Sequence, residues 1–134
     1  MKTLGILGGM GPQAGLRFCS LLLEQARVHG AKTNADYPHF LLSNLPVPDL
    51  ITSHDDEEIS VRMVEDEIRN LGKAGAGVIV MACNTMHVFA DRFIAASDGR
   101  FLSMVDEVVR VISKPQYFVE NPNHWKPVYY QHKF

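Results

Sequence analysis

Cys83, Asn84, Thr85 and His87 stand together directly after the apolar run Val78-Ile79-Val80-Met81-Ala82. A thiol can take or give a proton and can act as a nucleophile. An amide and a hydroxyl can hold a carboxylate by hydrogen bonds. His87 lies one helical turn beyond Cys83 if a helix starts early, where an imidazole could orient or deprotonate the thiol. The β-branched run reads as a buried strand. A cysteine at the carboxyl end of such a strand sits where open α/β sheets place their chemistry. The amides opening the next helix would also favour thiolate over thiol. Plainer roles stay open: Cys83 as a buried structural cysteine, and His87 as a helix residue facing water. One cysteine and one histidine make half a zinc ligand set at most, so no metal is expected.

A second candidate is the glycine turn Gly8-Gly9-Met10-Gly11-Pro12. Such a turn between strand and helix presents backbone N–H groups to an anion. The stretch from Gly9 to Ala14 matches GxGxxA, a dinucleotide fingerprint. That fingerprint also wants an acidic residue ending the second strand, and here Ser43-Asn44-Leu45 stands there. Pro12 removes one of the N–H groups a pyrophosphate would use. A small-carboxylate site is therefore preferred over a nucleotide site, with a plain strand-to-helix turn as the remaining possibility. Asp49 and His54 fall in loops at the same sheet edge and give only a faint signal. Cys19 falls on an apolar helical stripe and reads as core, while His29, His124 and His132 read as surface.

The elements that position these residues alternate. Thr3 to Leu7 reads as a first strand. Leu16, Cys19, Leu23 and Ala26 then recur at helical spacing, with Pro12 suited to the first turn and Gly30 to the stop. His39 to Leu45 reads as a second strand, closed by Pro46-Val47-Pro48-Asp49. Ser53-His54-Asp55-Asp56 offers caps for a second helix, whose apolar stripe is Val61, Val64, Ile68 and Leu71. Its other face, with Glu57, Arg62, Glu65, Asp66, Arg69 and Lys73, reads as solvated. The third strand is Gly77 to Ala82, and a third helix runs from about Thr85 to Ala96. Phe101 to Met104 reads as a fourth strand and Val105 to Ile112 as a fourth helix. Four strand–helix alternations predict an α/β lobe, a four-stranded parallel sheet with helices on both faces, over residues 1–112. Residues 113–134, with Pro115, Pro122, Trp125, Pro127 and the Tyr129-Tyr130 pair, show no period and read as a divergent tail whose aromatics need cover.

With 134 residues, 46% hydrophobic and 21% charged, the chain can bury one real core. A net charge of −2 argues against nucleic acid or an anionic membrane surface as partner. Two cysteines make no disulfide framework and fit a reduced, cytoplasmic compartment. The apolar stretch at the start is too short for a signal peptide, and no run approaches membrane-spanning length.

Taken together, Gly8-Gly9-Met10-Gly11-Pro12, Asn44 through Pro48-Asp49, Ala82-Cys83-Asn84-Thr85-Met86-His87 and Ser103-Met104-Val105-Asp106-Glu107 resemble the aspartate/glutamate racemase family, within the Asp/Glu/hydantoin racemase superfamily. The resemblance covers roughly residues 1 to 112. It implies one lobe of a two-lobed fold and a racemase that works without pyridoxal phosphate or any other cofactor. It also implies an acidic amino acid, aspartate or glutamate, as substrate, with hydantoin-type compounds open as well. Cys83 matches the family's first acid/base cysteine. Asn84 and Thr85 match residues holding the substrate α-carboxylate, with help from the amides of Gly9, Met10 and Gly11, and His87 belongs to the same group. Members carry a second lobe with a second cysteine, which is not found here. Leu50 stands where an arginine often follows Pro48-Asp49, and Gly15 where the glycine turn usually ends in threonine. Two expectations follow: a homodimer whose two Cys83 thiols face one substrate, or an inactive remnant that binds a small carboxylate.

Overall fold

The computed structural model describes residues 2–48 and 54–113. Strand β1 spans Thr3–Gly8, helix α1 Pro12–Val28, strand β2 Phe40–Asn44, helix α2 His54–Lys73 and strand β3 Ala76–Met81. After β3 comes a 3₁₀ turn, Thr85–Phe89, then helix α3, Ala90–Ala96, and helix α4, Met104–Ile112. The strands form a parallel sheet in the order β2-β1-β3. The α/β unit ends at Met104, and a second unit begins at Val105. The tail aromatics lie outside the described residues, as do Asp49, Leu50 and the side chain of His54.

The sheet has three strands where the sequence suggests four. Phe101 makes only a single parallel bridge to Ile79. Its flanks carry the bonds: Ile79 N–H donates to the Arg100 carbonyl, and Leu102 N–H to the Ile79 carbonyl, both at 2.8 Å. Asp98 and Gly99, both at positive φ, turn the chain into this position, and α4 starts at Met104. That leaves room for one bridged residue and no strand.

The two sheet faces are covered by different helices. Gly5 and Gly8 of β1 point to opposite faces, because side chains alternate along a strand. A Cβ on Gly5 would meet Leu71 of α2, and a Cβ on Gly8 would meet the Gly15 backbone of α1 at 3.2 Å. On the α2 face, Leu7, Val61, Val64, Ile68, Leu71, Ile79 and Phe93 form the core. All four stripe positions expected for α2 are buried. Ser60, fully buried, anchors the start of this helix by donating to the Pro48 carbonyl at 3.0 Å.

Helix α1 corrects its sequence reading. Gly15 is its buried residue, and Cys19, Leu22 and Ala26 follow on the half-buried side. Leu16 and Leu23, expected inward, face solvent. The Gly8–Gly15 approach sets the helix rotation, so the inward stripe is displaced from the one that apolarity suggests. Burial pushes the Cys19 thiol up from its ordinary pKa.

Glu65 is also not simply solvated. Arg92 of α3 donates to Glu65 at 2.7 Å and to Glu58 at 2.7 Å, tying α3 to α2. Hydrogen bonds from Arg92 and then Arg62 lower the Glu58 carboxyl from 4.5 to about 2. A carboxyl lowered by folding adds stability that is complete above its unfolded pKa and is lost as pH falls through its folded one. The melting-temperature gap between the native chain and a Glu58→Gln variant is therefore expected to narrow as pH falls from about 5 to about 2. Thermal melts across that range check this, and a gap that stays constant or widens contradicts it.

Candidate active site at the sheet edge

In a parallel sheet of order β2-β1-β3, the chain leaves β1 in one direction to reach β2 and returns on the other side to reach β3. The crevice outside the carboxyl ends of β1 and β3 is then the switch point where such sheets bind ligands. Two loops border it. Gly9, Met10 and Gly11 follow β1, and Cys83, Asn84 and Thr85 follow β3.

Backbone bonds hold these strand ends together. Ala82 N–H donates to the Leu7 carbonyl at 2.9 Å, and Leu45 N–H to the Gly8 carbonyl at 3.0 Å. Gly9 has a φ of 102°, and Gly11 one of 77°. These are left-handed conformations that glycine adopts without penalty. Gly9 is required for a second reason: a Cβ there would lie 2.2 Å from the Leu45 carbonyl oxygen. Met10 is half-buried against the core. Gly11 caps the start of α1 with Pro12 in the first turn, as the sequence suggests.

Cys83 is half-buried, with its side chain packed at the margin of the core, and so is neither sealed inside nor fully exposed. Asn84 and Thr85 expose their side chains on the same turn. The helix expected from about Thr85 to Ala96 is a 3₁₀ turn over Thr85–Phe89 followed by α-helix over Ala90–Ala96.

His87 lies elsewhere than a water-facing or thiol-facing residue would. It is 8% exposed. Its Nδ1 is 2.6 Å from the Cys83 carbonyl oxygen, and its Nε2 is 3.1 Å from the Met104 backbone nitrogen. Both nitrogens thus bond to backbone. The ring packs against Phe101 at a centroid distance of 5.8 Å, and Phe101 against Phe93 at 5.7 Å. Reading the sequence placed Cys83 and the glycine turn at one edge but missed the Met104 amide. The Ser103-Met104 pair carried the only signal, as part of the racemase-like motif.

A groove of about 690 Å³ lies along the C-terminal half of α2, lined by Arg69, Lys73, Arg92 and Arg100 among others, and it includes none of the candidate residues. Its arginines are already paired with Asp66, Glu58, Glu65 and Asp98. Among the described residues, no helix is long and apolar enough to cross a membrane.

Residues 7–115 match the family described as Asp/Glu/Hydantoin racemase. The chain belongs to the Asp/Glu/hydantoin racemase family. The broad specificity amino-acid racemase RacX of Bacillus subtilis (strain 168) is 29% identical over 113 residues, covering 84% of this chain and 50% of that protein. Among solved structures, the Picrophilus torridus aspartate racemase is 30% identical with a TM-score of 0.69. An aspartate racemase homologue from Pyrococcus horikoshii OT3 is 25% identical with a TM-score of 0.75. Each match covers 84% of this chain and 47% or 49% of the solved one. The chain therefore spans about half the length of the racemases it matches, and the parallel α/β fold is common to them.

Proposed function

We propose that this chain interconverts the enantiomers of an acidic amino acid, aspartate or glutamate, by proton transfer between a cysteine thiol and the α-carbon, in a site completed by a second copy. The observation that carries this is the placement of Cys83, Asn84 and Thr85 across the β1–β3 crevice from the Gly9-Met10-Gly11 turn. In this reading, Asn84 and Thr85 donate to the α-carboxylate together with amides of the glycine turn. The Cys83 thiolate takes the α-proton and becomes a thiol, leaving a carbanion. A thiol on the opposite face gives its proton to that carbon and becomes a thiolate. Charge and atoms balance with no oxidation.

One chain supplies one such thiol at this edge. The racemase relatives are about twice its length, and inversion needs a group on each face of the α-carbon. A second copy related by a two-fold axis can bring a second Cys83. Val88, 77% exposed on the turn that carries Asn84 and Thr85, is an apolar side chain that such a contact would cover.

The test is incubation of L-aspartate and of L-glutamate in deuterium oxide with the protein, following deuterium at the α-position. Exchange with either substrate is expected. No exchange with both, at high protein concentration, removes the reading. The half-length match also favours a second reading, a carboxylate-binding lobe without turnover. Binding of these amino acids without exchange would support it.

A further inference from the structure

The two nitrogens of His87 meet opposite kinds of backbone group. A carbonyl oxygen can only accept, so Nδ1 against Cys83 must carry a proton and donate. A backbone N–H can only donate, so Nε2 against Met104 must be bare and accept. One form satisfies both contacts: the neutral imidazole with its proton on Nδ1. In this form neither nitrogen remains for the Cys83 thiol, so the ring is not its base.

The local backbone explains why the ring is needed. The His87 N–H donates to the Asn84 carbonyl at 3.1 Å, as a 3₁₀ turn requires, and the imidazole takes the Cys83 carbonyl. The same ring is fixed from the other side by the Met104 N–H and flanked by Phe101. The peptide unit that carries Cys83 is thereby tied to a segment seventeen residues beyond His87.

We propose that His87 is a positioning residue for Cys83: in its neutral Nδ1–H form it locks the Cys83 carbonyl against the Met104 amide and so fixes the direction in which Sγ enters the crevice. The inference rests on the reading of Cys83 as the proton-transfer group, but its structural half can be tested without turnover. Displacing a reacting atom by about 1 Å costs about 10²-fold in rate. Glutamine carries an amide NH2 that donates and a carbonyl oxygen that accepts, and can serve both backbone partners, whereas alanine serves neither.

Nitrogen-15 NMR of the native chain at neutral pH is expected to show His87 as the neutral Nδ1–H tautomer. An Nε2–H tautomer or an imidazolium would overturn the proposal whatever the protein catalyses. His87→Ala is expected to lower kcat for α-proton exchange about 10²-fold with little change in KM, and His87→Gln to restore most of that loss. In a Cys19→Ser background, the rate of Cys83 alkylation by iodoacetamide should change in His87→Ala and return toward the native rate in His87→Gln. That measurement decides the matter if exchange is absent or the alanine variant turns over too slowly to follow. Native alkylation in the folded alanine variant, or a folded glutamine variant as impaired as alanine, overturns the proposal.

Discussion

Replacing Cys83 with serine is expected to lower the rate of α-proton exchange about 10³-fold, within the range that positioned acid–base groups contribute. The alcohol keeps the size of the side chain and can still hydrogen-bond. It does not ionise near neutral pH as a thiol can, so the base that would take the α-proton is lost. The fold should survive, because Cys83 is only half-buried at the edge of the core, and a small change there costs about 1 kcal/mol or less. Exchange rate and thermal melt measured on the same sample separate the two effects. Unchanged exchange in the serine variant would remove Cys83 from the chemistry.

The second large effect is structural and falls on the opposite loop. Gly9→Ala places a methyl 2.2 Å from the carbonyl oxygen and 2.5 Å from the nitrogen of Leu45. Leu45 must move, and its bond to the Gly8 carbonyl, which ties the end of β2 to the end of β1, is lost with it. The positive φ of 102° adds its own penalty for any residue with a Cβ, about 1–2 kcal/mol. A total of about 3 kcal/mol is expected, or a fall in Tm on the order of 10 °C. Gly11→Ala is the control: its φ is also positive, at 77°, but a Cβ there meets nothing within 4 Å. It should cost only the backbone strain, about 1 kcal/mol. Equal melts for the two variants would contradict the packing seen at Gly9.

These positions differ in how legible they are from sequence, and the reasons are physical. Cys83 and the glycine turn can be read because both depend on local signals: an apolar β-branched run that stops, and glycines where the chain must turn. The α2 stripe can be read because Val61, Val64, Ile68 and Leu71 repeat with the helix and meet one continuous surface. The inward side of α1 cannot, since it is set by the approach of Gly15 to Gly8. A glycine gives no apolar signal, while Leu16 and Leu23 give a misleading one. The segment after Gly99 has the composition of a strand, but strand formation depends on a length of paired neighbour, and only Phe101 finds one. Glu65 reads as a surface acid because Arg92, its partner, sits on another helix. His87 is the clearest case: its spacing from Cys83 is visible, but the Met104 amide that occupies its far nitrogen is not.

Co-refolded mixtures of native and Cys83→Ala chains in varying proportion test the proposed two-thiol site most directly. The rate of conversion of L-aspartate or L-glutamate to the D form should fall as the square of the native fraction, because only pairs with two native chains carry both thiols. A rate that falls in simple proportion, or no conversion at any proportion, would contradict a site shared between copies.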